Sequence, residues 1–252
     1  MSDLNTKCRC LFNCGPALLF LTCFLAADVQ AGEAQTVAGA EQYTDVPAPP
    51  VDTKIFRRPA NIIIDGDLAD WVNVPWLERP FHGTRSTCAR FCWSDDGLYG
   101  AFDVTDDHVD PPQDLADTFR ADGLELWIET DAARALDSTR TRFAHKIAVV
   151  PESSGDGGKA RSAIVDGPLA GKTPVEAAWH RTPYGYTLEF RIPADVLTPA
   201  HMAVGAKIGF HYVLFDDAAH AEDSRIFIRG FFRKPYLWAV LRLVDSQPGS
   251  VR

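Results

Sequence analysis

The residues best suited to chemistry lie in one acidic and aromatic run, residues 122–131, which reads Asp-Gly-Leu-Glu-Leu-Trp-Ile-Glu-Thr-Asp. In a β-strand successive side chains point to opposite faces, so Glu125, Trp127 and Glu129 share one face and the apolar residues between them share the other. The apolar face is predicted to be core. The polar face sets an indole ring between two carboxylates. It can meet a second layer, an ion or a polar ligand, or it can be the wet side of an antiparallel sheet.

Hydrolysis of a glycoside is one chemistry that paired carboxylates could perform. It needs two carboxyl groups about 5 to 9.5 Å apart, whereas the Cα atoms of Glu125 and Glu129 lie ~13 Å apart along one strand. Glu189 could approach Glu125 across strands, although nothing in the sequence singles it out. The chain also contains no Gly-x-Ser-x-Gly, His-Glu-x-x-His or phosphate-loop motif. The sequence therefore predicts a protein that is not an enzyme.

The elements that position these residues are short alternating runs. Asp96-Gly97 lies between the apolar runs 89–93 and 98–104, which predicts a β-hairpin. Trp71 is predicted to anchor the core, and residues 109–120 to form a loop that leads to the central strand. Further strands are predicted at 62–64, 142–150, 161–165, 176–180, 185–192, 207–215 and 237–244. No long helical period appears, so the fold class is all-β, an antiparallel β-sandwich or distorted barrel.

The first 31 residues have the pattern of a signal peptide. Lys7 and Arg9 precede an apolar run of about 12 residues, which is shorter than the ~20 that a spanning helix needs. Small residues then predict cleavage after Ala31, whereas a lipoprotein cysteine at Cys23 is disfavoured by the bulk of Thr22. We expect export to the periplasm or the cell exterior. Residues 32–54 are predicted to be a flexible linker, 55–246 the domain and 247–252 a tail.

Charge and cysteine content limit the partners. The net charge is −9, which argues against nucleic acid, because its binding depends on Lys and Arg that neutralise phosphates. Cys88 and Cys92 are the cysteines that remain after the leader. On one strand their Cα atoms would lie ~13 Å apart, beyond the ~7 Å limit of a disulfide. They are predicted to be buried small hydrophobic residues rather than a disulfide.

Short motifs follow one another in a definite order from residue 62 to residue 244. They are Ile64-Asp-Gly66 with Trp71, residues 91–99 with Val104-Thr-Asp106, Asp122-Gly-Leu-Glu125, Gly185-Tyr-Thr-Leu-Glu189 with Ile192-Pro193, Ile208-Gly-Phe210 with Asp216-Asp-Ala218, and Leu241-Arg-Leu243. This ordered set resembles the family 9 carbohydrate-binding modules and the wider DOMON-like group of β-sandwiches, with their distorted jelly-roll fold.

The resemblance implies that two aromatic rings clamp a sugar while polar side chains bind its hydroxyl groups. Carried over by position, the rings are Phe119 and Phe232, where the family has tryptophans, and the acidic residue is Glu125. Leu214 stands where the family has a glutamine. A Phe ring can still stack on the apolar face of a sugar, with less area than Trp. The candidate basic donors are Arg229, Arg233, and His145 or Lys146.

The resemblance also implies a structural calcium ion. Asp65, Asp67, Asp106 and Asp107 are oxygen ligands in predicted loops, the type that calcium prefers, without the fixed spacing of a calcium loop.

Two other functions stay open beside a role in polysaccharide catabolism. Some DOMON-like proteins carry b-type haem on an axial Met, His or Lys, and Met202 beside His201 could serve for electron transfer. Alternatively, a sheet face without a sugar pocket could bind a protein or a surface component.

Overall fold

The computed structural model describes residues 52–77, 87–132, 142–216, 226–227, 235 and 238–245. Within them, helical structure is limited to short 3-10 turns, at Leu68–Trp71 and Leu115–Arg120, and none of the described helices has the length and apolar character needed to cross a membrane.

Thirteen strands occur among the described residues. They are β1 (Asp52–Arg57), β2 (Trp76–Leu77), β3 (Thr87–Ser94), β4 (Gly97–Thr105), β5 (Gly123–Glu129), β6 (Ala144–Val150), β7 (Gly157–Lys159), β8 (Arg161–Asp166), β9 (Glu176–Thr182), β10 (Gly185–Pro193), β11 (Lys207–Phe215), β12 (Ile226–Phe227) and β13 (Ala239–Val244).

The strands form a β-sandwich whose two sheets share hydrogen bonding through β1. The order β7-β9-β10-β4-β3 forms what we call the front sheet, and β13-β11-β5-β6-β8 forms the back sheet. Strand β1 pairs in parallel with both β3 and β13, whereas the other pairs are antiparallel. β12 adds to β11 and β2 to β3. The all-β sandwich predicted from the sequence is confirmed.

Aromatic rings from both sheets meet in the main core. Phe91 of the front sheet lies 4.9 Å from Phe210 of the back sheet between ring centroids, and Phe102 lies 5.0 Å from Tyr212. Both pairs meet edge to face, the arrangement that the ring quadrupole favours. The alternation of large apolar residues in the four strands therefore joins the two layers.

The hairpin at Asp96-Gly97 is confirmed, with Ser94 paired to Gly97. Cys92 is fully buried in an apolar cluster, as predicted for a small hydrophobic residue, and Cys88 is partly buried. Residues 62–64 are not a strand, because the segment leaves the sheet to cover the outer face of β3 and β4. Strands β1 and β7 were not predicted, and β1 begins at Asp52, inside the segment assigned to the linker.

A buried carboxylate holds that covering segment on the front sheet. Glu189 of β10 accepts hydrogen bonds from the backbone N–H groups of Asp65, at 3.1 Å, and Gly66, at 2.5 Å, and from the indole N–H of Trp71. Trp71 is fully buried, which confirms its predicted role as an anchor. Gly66 has φ +93°, and a Cβ there would lie 2.6 Å from the Trp179 carbonyl oxygen, so glycine is required.

Candidate functional site

The polar face of β5 is not a wet surface. Glu125, Trp127 and Glu129 are 3, 4 and 0% exposed, and the alternate residues of the strand lie in the main core. We call the polar side the outer face of the back sheet. The two glutamates on this face are buried although they carry charge, and buried charges need partners.

Glu125 has such a partner on the neighbouring strand. Lys146 of β6 places its Nζ 2.6 Å from Glu125 Oε1 and 5.2 Å from the centroid of the Trp127 ring. Of the two alternatives that the sequence left open, Lys146 is therefore the one beside Glu125. His145 pairs with the core residue Ile128, so alternation directs its ring to the opposite face of the sheet. Burial lowers the pKa of His145.

Aromatic rings continue this layer toward β11 and β13. His211 lies opposite Trp127 in the strand register, and its ring stacks on Trp238 with centroids 6.4 Å apart and 15° between planes. Trp238 in turn lies 6.3 Å from Trp127. His211 and Trp238 belong to no motif in the sequence that predicts this contact, because the strand pattern alone does not show which distant rings stack. Leu214 belongs to the main core, so it faces away from this layer.

Phe119 lies at the edge of the outer face. It belongs to the 3-10 turn of the segment 106–122, which we call the aspartate loop, and it is 45% exposed. The turn can pack closely on β5 and β6 because Gly123 has no side chain. A Cβ at Gly123 would lie 2.6 Å from Val150 Cγ1 and 2.7 Å from Thr118 Cγ2. Phe119 is thus an exposed ring on a closely packed support.

Two further contacts hold the aspartate loop. Arg161 of β8 donates hydrogen bonds to the carbonyl oxygens of Pro112 and Gln113, the latter at 2.9 Å. Asp122 donates from its backbone N–H to the Asp110 carbonyl at 3.0 Å, and its Oδ2 accepts from the Asp110 N–H at 2.5 Å. The loop is therefore fixed both at its end and along its length.

Three carboxylates meet at one end of the sandwich. Asp106 follows β4, Asp122 precedes β5 and Asp216 follows β11, and one carboxylate oxygen from each lies within 4.8 Å of the others. At that separation two unit charges repel by about 3 kcal/mol at an effective dielectric constant of ~20. A cation between them would reverse the sign of this interaction.

Tyr186 lies in the electrostatic field of the same group. Its ring is fully buried, and its hydroxyl has no hydrogen-bond partner among the described residues. Burial raises the pKa of this hydroxyl well above its usual value, and the negative charges of Asp122, Asp106 and Asp216 raise it further. An unpaired buried hydroxyl beside three carboxylates is a polar atom that a bound ion could satisfy.

This donor set fits the calcium ion that the resemblance implies. Oxygens bound to one Ca²⁺ at 2.3–2.6 Å are at most about 5 Å apart, and the three carboxylate oxygens, which lie within 4.8 Å of one another, meet this limit. Of the four predicted ligands, Asp106 alone belongs to the group.

The other three predicted ligands lie outside this group. Asp65 Oδ1 accepts from the Asp67 N–H at 2.9 Å, and Asp67 Oδ1 caps the first 3-10 turn through the Ala69 N–H at 3.0 Å. Asp107 is exposed. The sequence analysis quoted Asp122 and Asp216 in motifs but not as ligands; their positions at strand ends were the available signal.

Phe232, Arg229 and Arg233 lie outside the described residues. Their predicted places opposite Phe119 and beside the sugar therefore stay predictions.

A family model described as "Carbohydrate family 9 binding domain-like" matches residues 67–238. The chain belongs to this family. It is a carbohydrate-binding module, of a family whose members are non-catalytic binding domains. No curated protein matches the chain.

Solved structures show the same fold. A family 9 module from Caldicellulosiruptor kristjanssonii in complex with glucose superposes with a TM-score of 0.61 at 18% identity, over 77% of this chain and 97% of that chain. A second structure of a family 9 module from this organism, in complex with cellotriose, gives a TM-score of 0.59 at 18% identity, over 79% and 98%.

The geometry also bears on two of the alternatives. Glu125 and Glu189 lie on the outer faces of different sheets, because their neighbours in each strand point into the shared core. Packed sheets are ~10 Å apart, so two outward carboxylates are farther apart than a glycosidase pair. Met202, the candidate haem ligand, is partly buried and packs against the main core.

Proposed function

We propose that this chain is an exported module that binds a saccharide over the outer face of the back sheet, beside Phe119, and that serves in polysaccharide catabolism. The observation that carries the proposal is the buried Glu125–Lys146 pair, which lies on the same face as Trp127. The turn that bears Phe119 packs at Gly123, two residues before Glu125 on the same strand. A carboxylate and an ammonium side by side offer an acceptor and donors for neighbouring hydroxyl groups, and charged partners make the stronger hydrogen bonds.

The pair can exchange partners with a sugar. Lys146 keeps 14% of its side chain exposed, and its long stem lets the ammonium turn toward a ligand while it stays near Glu125. The exposed ring of Phe119 then supplies the apolar surface on which a sugar ring stacks. In the proposed clamp, Phe232 is the second aromatic ring and Arg229 a hydrogen-bond donor. Both assignments come from the family resemblance alone.

Calorimetric titration with glucose and cellotriose tests this proposal. Phe119→Ala should weaken binding at least tenfold, because the stacking surface is lost, and should change the free energy of unfolding by less than about 0.5 kcal/mol, since the ring is exposed. Trp76→Ala is the matched control, because Trp76 is a partly exposed aromatic residue on β2. Equal affinities for wild type and Phe119→Ala, or no heat with a wider set of glycans, would contradict the proposal.

We also propose that Asp106, Asp122 and Asp216 hold a calcium ion, with the Tyr186 hydroxyl facing it. The support is that one carboxylate oxygen of each residue lies within 4.8 Å of the others, and that the buried Tyr186 hydroxyl has no hydrogen-bond partner among the described residues. Calcium at about 100 times its Kd should stabilise the native state by about 2.7 kcal/mol, which is a rise in Tm of roughly 5–10 °C.

Asp216→Asn should reduce this rise, whereas Asp107→Asn, a change of the same kind at an exposed residue, should not. If calcium does not change the Tm of wild type, the proposed calcium site is wrong.

A further inference from the structure

The three carboxylates belong to both ends of the aspartate loop. Asp106 begins the loop where β4 of the front sheet ends, and Asp122 ends it where β5 of the back sheet begins. Asp216 lies at the end of β11, the neighbour of β5. A cation bound to all three would tie the two ends of one loop to each other and to the strand beside them.

Asp122 also closes the loop internally. Its Oδ2 accepts the Asp110 N–H at 2.5 Å, and its own N–H donates to the Asp110 carbonyl at 3.0 Å. The carboxylate that would bind a cation is therefore the same carboxylate that fixes the backbone of the loop. Any change in its position would reach the loop through these two hydrogen bonds.

The groups proposed to contact the sugar lie close to Asp122 along the chain on both sides. Phe119 precedes it by three residues in the 3-10 turn, and Glu125 follows it by three residues on β5. The turn is packed on β5 through Thr118, which is fully buried beside Gly123. A shift of Asp122 would therefore reach both the turn that bears Phe119 and the strand that bears Glu125.

Tyr186 supplies an independent sign that the group takes a ligand. Its side chain is completely buried on β10, its hydroxyl has no hydrogen-bond partner in the part of the chain that the structure describes, and it lies in the field of the same three carboxylates. Three acidic residues alone would not distinguish an ion site from an acidic end of the sandwich. The buried Tyr186 hydroxyl favours an ion site, because a buried polar atom without a hydrogen-bond partner lowers the stability of the folded state.

We propose that a divalent cation at Asp106, Asp122 and Asp216 controls saccharide affinity without touching the saccharide, by fixing the aspartate loop so that Phe119 stands over Glu125. This inference rests on the proposed sugar site. It assigns the cation a regulatory role in binding beyond its effect on stability. By linkage, the saccharide must then raise the affinity for the cation by the same factor.

The test uses the full-length protein, stripped of metal with EDTA and titrated with cellotriose in the absence and presence of calcium chloride. Calcium should raise the affinity at least tenfold for wild type and for the control Asp107→Asn, and much less for Asp216→Asn. In Phe119→Ala the residual affinity should not respond to calcium, because the ring through which the cation acts is missing. A purely global stabilisation would leave the response of Phe119→Ala equal to that of wild type, which would overturn the proposal.

Hydrogen exchange separates failure of this inference from failure of the sugar site. Calcium should slow amide exchange in residues 106–122 whether or not a saccharide is present. If calcium raises the Tm but neither slows this exchange nor changes cellotriose affinity, the coupling is wrong and the sugar site stands. If the exchange slows but no saccharide binds with or without calcium, the sugar site is wrong and the coupling is overturned with it.

Discussion

Two buried glutamates occupy equivalent places in the two sheets and have opposite surroundings. Glu189 on β10 and Glu125 on β5 each lie on the outer face of a sheet, between residues that point into the common core. Glu189 is met by two backbone N–H groups and the indole of Trp71. Glu125 is met by the ammonium of Lys146.

The difference lies in what the partners can do. Neutral donors that belong to a packed segment cannot leave the carboxylate, so Glu189 fixes the chain that covers the front sheet. A lysine with a long stem and a partly exposed side chain can share its protons with a ligand. We infer that burial of a carboxylate does not by itself indicate a structural or a binding role, and that the mobility and charge of its partner distinguish the two.

The largest expected effect removes the anchor of the front sheet. Trp71→Ala deletes a fully buried indole and a donor to Glu189, so the free energy of unfolding should fall by about 3–5 kcal/mol. Urea denaturation measures this loss. Calorimetry on the folded fraction of this variant should show a saccharide affinity close to that of wild type. A large loss of affinity would show that the outer faces of the front and back sheets are not independent.

A smaller effect comes from the protonation of Glu189. Burial raises the pKa of this carboxyl from 4.5 to about 7, against the effect of its three donors. The folded state therefore holds the proton more tightly than the unfolded state. The stabilisation from this proton is complete below pH 4.5 and is lost as the pH rises to about 7.

The comparison with Glu189→Gln isolates that contribution. As the pH rises from about 4 to 8, wild type should lose roughly 2–3 kcal/mol of unfolding free energy relative to Glu189→Gln. Urea denaturation at a series of pH values measures it. A difference that does not vary with pH would show that Glu189 keeps an ordinary pKa.

The smallest effect on stability is expected at the binding face. Replacement of a buried ion pair by apolar residues of similar size is often neutral or stabilising, so the double variant Glu125→Leu with Lys146→Met should unfold within about 1 kcal/mol of wild type. Its saccharide affinity should fall at least tenfold, because acceptor and donors are both lost. The single variant Lys146→Met, which leaves Glu125 buried without its cation, should be less stable than the double variant. Unchanged saccharide affinity in the double variant would contradict the role of this face.

The sequence by itself determined the fold class, the longer strands with their two faces, and the family. Alternation placed the leucines of residues 122–131 in the core, and the Asp96-Gly97 turn set the first hairpin, because both depend on neighbours along the chain. The sequence also indicated Glu125 as a candidate site residue and Trp71 as a core residue.

Only the tertiary structure decided which distant groups meet. Lys146 and not His145 faces Glu125 because the register of β5 and β6 selects one of two adjacent residues. Asp106, Asp122 and Asp216 converge because the ends of β4, β5 and β11 lie at the same end of the sandwich. Such contacts arise from strand order and register across the sheets, and no local pattern of residues carries that information.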